Sequence, residues 1–201
     1  MRSFVAALAL AGGASLASAS SDEWEWAGIF DTSGKGLEYT AANDLSSVYW
    51  VAQKVDGEYA DPTMTIMFID AGGATSESKL ESYKDTANTL LAADDCTTWI
   101  GTTALTPTSS ICYKLQFDTS AFESIFEIDV DGVDSLAIFA QHYPTEFERS
   151  THYLISDMGD DVEPVHELPE SEQSKVRLFE KKKPLLACRS PELDMQQPTN
   201  I

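Results

Sequence analysis

Residues 123–141 read Glu-Ser-Ile-Phe-Glu-Ile-Asp-Val-Asp-Gly-Val-Asp-Ser-Leu-Ala-Ile-Phe-Ala-Gln. Two apolar-rich runs, Glu123 to Val130 and Ser135 to Gln141, flank Asp131-Gly132. Alternation places every second side chain on one face of a strand, and glycine tolerates the positive φ that a two-residue turn needs. The stretch therefore predicts two strands joined as a β-hairpin. The acidic residues Asp129, Asp131 and Asp134 also invite a calcium-loop reading. An EF-hand loop needs Gly at its sixth position, Glu at its twelfth and helices on both sides. Here Gly132 directly follows the second Asp and strands flank it, so the turn reading is preferred.

Working outward, more strands follow. Ser47 to Lys54 is aromatic and β-branched, and Thr63 to Ile69 is apolar at nearly every position, as in a strand covered on both faces. Ile111, Tyr113, Leu115 and Phe117 alternate with polar residues, and Thr151 to Ser156 forms a last strand. At the front, Trp24, Trp26 and Phe30 are expected on one face of a strand. One helix is expected over about 75–94, where Leu80, Tyr83, Ala87, Leu90 and Leu91 recur at helical spacing. The fold class is mainly β: an antiparallel β-sandwich or small barrel with one α-helix.

The chain has 201 residues and a formal net charge of −20. Its charge is uneven. Residues 20–170 carry 29 acidic and 6 basic side chains, a net of −23, whereas residues 171–201 carry 4 acidic and 6 basic. This divides the chain into an acidic β-sandwich domain (20–170) and a polar, mildly basic tail (171–201), expected to be largely disordered. The acidic excess argues against nucleic-acid binding and against electrostatic attachment to anionic lipid. Residues 1–19 read as a signal peptide: Arg2, then an apolar run from Phe4 to Leu10, then Ala17-Ser18-Ala19. No transmembrane span is expected, and the protein is expected to be secreted, extracellular or lumenal.

In an oxidising compartment Cys96 and Cys112 are expected to pair, closing a loop with Gly101 and Pro107 inside it. Cys188 is left over in the tail. It and Lys181-Lys182-Lys183 are candidates for contact with a protein partner.

The three histidines, His142, His152 and His166, all lie within 25 residues. His142 ends one predicted strand and His152 opens the next. If those strands are antiparallel neighbours, both imidazoles reach one point, with Glu146 or Glu148 adding an oxygen and His166 completing the set. Two imidazoles and a carboxylate suit zinc, iron or copper. Residues Ala137, Phe139, Ala140, Gln141, His142, Pro144, Glu146 and Phe147 form a pattern that resembles one found in secreted metal-binding β-sandwich domains. That resemblance covers about a dozen residues and implies that His142 and Glu146 lie at a metal or ligand site.

The expected function is a secreted, acidic, non-enzymatic protein that binds a divalent metal ion. Two alternatives stand beside it. One is an extracellular or cell-surface interaction module without metal, and the other is a glycoside hydrolase built on a carboxylate pair. The sequence carries no Gly-x-Ser-x-Gly, His-Glu-x-x-His or glycine-rich phosphate motif. The aromatic residues Trp24, Trp26, Tyr39, Tyr49 and Trp50 are expected mainly in the core rather than as a sugar-stacking platform.

Overall fold

A computed structural model describes residues 23–33, 45–93 and 95–169. The expected signal peptide, Tyr39, Lys181–Lys183, Cys188 and the tail lie outside these residues. Among the described residues, nine strands form two sheets. In chain order they are β1 (Trp26–Asp31), β2 (Ser47–Gln53), β3 (Thr63–Asp70), β4 (Thr97–Trp99), β5 (Tyr113–Gln116), β6 (Glu123–Asp129), β7 (Ser135–Ala140), β8 (Leu154–Ser156) and β9 (His166–Leu168). The large sheet has the order β4-β5-β3-β7-β1-β9 and the small one β6-β2-β8. They face each other as a sandwich and do not close into a barrel. The strand pairs are antiparallel except β4 with β5, which run parallel.

The expected β-hairpin at Asp131-Gly132 does not form. The turn is there, with Gly132 at φ +74°, but β6 belongs to the small sheet and β7 to the large one. The burial patterns give the physical reason. Along β6, Ser124, Phe126 and Ile128 are buried while the residues between them are not. All six residues of β7 are buried. A one-faced strand suits the small outer sheet, and a two-faced strand needs the middle of a covered sheet. The Asp-Gly turn is thus a corner between sheets.

The large sheet is the central layer. Trp26, Phe30, Val48, Trp50, Phe68, Phe126, Ile138 and Leu154 fill the space between the sheets. On its other face, Ile29, Met67, Ala137 and Phe139 are covered by Leu80, Ala87 and Leu91. Those three residues come from the predicted helical stretch, which is split into α1 (Glu77–Glu81) and α2 (Lys84–Leu91). Ser76 caps α1 by accepting the Lys79 N–H. Trp24 does not share a face with Trp26 and Phe30. It precedes β1 and packs on the helix side, edge-on to Phe139 at 5.3 Å. Gly28 lets Trp26 lie flat across β1: a Cβ there would sit 2.5 Å from the indole ring.

Cys96 and Cys112 are bonded, with Cα atoms 4.8 Å apart. The loop they close spans both sheets. Its residues Thr97–Trp99 form β4 on the edge of the large sheet, while Leu105 bridges to Ile128 of the small one and is buried. No helix is long and apolar enough to cross a membrane among the described residues.

Candidate metal-ligating site

The segment from Gln141 to Tyr153 leaves the large sheet after β7 and enters the small sheet at β8. A 3-10 turn, Pro144–Phe147, opens it, with Pro at the first turn, where a missing N–H costs nothing. Phe147 is fully buried against Phe117, with ring centroids 5.2 Å apart, and anchors the segment. The return leg is held by Gln53 of β2. Its buried Oε1 accepts the backbone N–H groups of Arg149, Ser150 and Thr151 at 2.9–3.2 Å. Its Nε2 donates to Glu123 at 3.1 Å. One side chain thus fixes the three residues that precede His152.

The histidines are not brought to one point. Because β7 and β8 lie in different sheets rather than side by side, His142 and His152 each meet their own carboxylates. His142 has Glu146 Oε2 at 3.9 Å from Nδ1 and Asp61 Oδ2 at 3.8 Å from Nε2. His152 has Glu148 Oε2 at 3.2 Å from Nδ1 and Glu163 Oε2 at 4.0 Å from Nε2. His166 is in β9, opposite Ile29 of β1, which in turn pairs with Ala137. That register lies five residues along the sheet from His142, about 17 Å at about 3.4 Å per residue. His166 is therefore separate from His142. Among the described residues, no group of three or more His, Cys, Asp or Glu is gathered as a cage for a metal ion.

Within each cluster the chemistry is alike. Both Nε2 atoms are shielded from solvent and have no hydrogen-bond partner. The His152 side chain is 11% exposed and its ring lies tilted at 45° against Tyr153, with centroids 4.1 Å apart. Glu148 beside Nδ1 favours the tautomer with its proton there, leaving the Nε2 lone pair for another partner. Carboxylate–imidazole–metal sites use this arrangement. Glu146 and Glu148, read from sequence as ligands, thus stand on the Nδ1 side of their imidazoles. Asp61 and Glu163 face Nε2. Asp61 comes from the loop before β3 and Glu163 from the loop before β9, and neither is a close sequence neighbour of the histidine it faces.

A second carboxylate pair, Asp118 and Glu123, lies in a depression of about 400 Å³ between the ends of β5 and β6, lined also by Ile100, Phe117, Ile125 and Phe126. Asp118 accepts the Ser120 hydroxyl and amide, and these bonds hold its pKa below the ordinary value. A glycosidase's general acid needs the opposite shift. Trp24, Trp26 and Trp50 are buried and form no sugar platform; Tyr49 is half-buried on the outer face of the small sheet. Compared with protein-family models, curated proteins and solved structures, the chain matches none.

Proposed function

We propose that the chain is a secreted or lumenal acidic protein that binds a divalent metal ion of the zinc, copper or iron kind without catalysing a reaction. The reading puts the principal point of attachment at His152, with His142 as a second, separate point. One observation carries it: His152 presents a shielded Nε2 with no hydrogen-bond partner while Glu148 faces its Nδ1 at 3.2 Å. Metal–nitrogen and metal–oxygen bonds are each about 2.0–2.2 Å and meet at near-tetrahedral angles, so an ion shared by Nε2 and Glu163 draws the two atoms from 4.0 Å to about 3.3–3.6 Å apart, a small movement of the half-exposed Glu163 side chain. Water completes the coordination, which makes the binding exchangeable rather than structural. The charge of residues 20–170 raises the cation concentration around both points. The disulfide agrees with an oxidising compartment.

Equilibrium dialysis of the purified protein against Zn²⁺, Cu²⁺ and Fe²⁺ tests the reading. Saturable uptake is expected, reduced in His152→Ala and removed in the His142→Ala/His152→Ala double variant. Absence of uptake, or uptake unchanged in the double variant, sinks it.

A further inference from the structure

The outer face of the small sheet is a feature that the metal reading does not use. Cross-strand partners point to the same side of a sheet. Tyr49 of β2 pairs with Glu127 of β6 on one side and with Ile155 of β8 on the other. Ile155 in turn bridges to Asp161, where the chain folds back after Gly159. The four residues form one row across the sheet: carboxylate, aromatic ring, aliphatic side chain, carboxylate. Val48, Trp50 and Ala52 fill the core on the opposite face, so this row points outward. Tyr49 and Ile155 are only half-buried. Beside the row stands Ile125, 47% exposed, and Ile100, 62% exposed, lines the same depression as Ile125.

The charge around this row has one sign. None of the three strands contains a Lys or Arg, nor do residues 157–163, which carry Asp157, Asp160, Asp161 and Glu163. Lys54 and Arg149 belong to the other end of β2, where Lys54 is bonded to Thr119 and Arg149 lies over Phe122. Three inter-strand steps of about 4.8 Å put the terminal carboxylates about 14 Å apart. In an extended peptide, side chains four residues apart are separated by about 13 Å.

We propose that this face docks a basic segment of a partner protein, in which two Lys or Arg four residues apart straddle apolar side chains. The cations meet Glu127 and Asp161, and the apolar residues cover Tyr49, Ile155 and Ile125. A second copy of this chain fits poorly, because it brings the same carboxylates. An anionic lipid surface is repelled for the same reason.

The probe is the peptide Lys-Leu-Phe-Leu-Lys, blocked at both ends and titrated into the ¹⁵N-labelled protein with EDTA present, with Glu-Leu-Phe-Leu-Glu as control. The chelator separates this surface from the metal-binding reading. Saturable shifts are expected in β2, β6 and β8 with the lysine peptide alone, weakening as salt is raised. Glu127→Lys/Asp161→Lys is expected to weaken binding about tenfold, as reversal of two rim charges does. Tyr49→Ser weakens it too, and Glu77→Lys/Glu81→Lys on α1 leaves it unchanged. The proposal is overturned if the lysine peptide gives no saturable shifts, or if reversal at Glu127 and Asp161 has no effect. Equal loss from the α1 reversal also overturns it, since binding is then general to the acidic surface.

Discussion

At the scale of single residues, Gln53 has the largest consequence for the candidate site. Three backbone N–H groups depend on its one oxygen. Gln53→Leu keeps the volume and strands those donors next to a buried side chain. Such groups cost about 1–3 kcal/mol each to leave unpaired, although local rearrangement recovers part of this. A loss of about 2–3 kcal/mol is expected in urea unfolding, together with weaker metal uptake at His152. Asp118 gives a pH signature. Its folded-state pKa is depressed, first by the Ser120 hydroxyl and then by the Ser120 amide. Its contribution to stability is therefore present above the ordinary carboxylate range and lost as pH falls through the lower folded value. Thermal unfolding followed from about pH 5 to about pH 2 should show a shallower acid decline in Asp118→Asn than in the unsubstituted chain. Of the candidate site, the pairs His142/Glu146 and Glu148/His152 were legible because their partners lie four residues apart. Asp61 and Glu163 were not, because only the packing of distant loops brings them to the imidazoles.

At the scale of elements, a turn signal and a pairing signal proved to be different things. Asp131-Gly132 makes the chain turn, but the destination of each flank follows from how many of its faces are apolar. Leu136 to Ala140 carries no polar residue, and that property sends β7 to the centre of the large sheet. The three-residue strands β4 and β9 left no periodic trace, because their pairing depends on neighbours and not on their own side chains. β4 owes its place to the disulfide-closed loop. A loop of this length contributes about 3 kcal/mol in the chain-entropy model. Cys96→Ser/Cys112→Ser should lose about that much in urea unfolding. Amide hydrogen exchange should rise first in residues 97–111, where Leu105 ties the two sheets together.

At the scale of the whole molecule, the architecture is three layers: helices, a six-stranded sheet and a three-stranded sheet. The β-rich class was legible in the spacing of apolar residues. The two-sheet sandwich was legible as well; which sheet receives β6 and which β7 was not, because a turn signal alone, as at Asp131-Gly132, does not distinguish a hairpin from a corner. The acidic excess surrounds two separate imidazole–carboxylate clusters and an apolar row framed by carboxylates. Each is proposed as the place of a cation, a metal ion in the first case and a basic side chain in the second. The most direct test of the metal reading is to follow the imidazole nitrogens of the ¹⁵N-histidine-labelled protein by NMR while Zn²⁺ is added. The account predicts a saturable shift of Nε2 in His152, reversed by EDTA, while His166 does not move. An Nε2 resonance of His152 that stays in place under excess Zn²⁺ would contradict it.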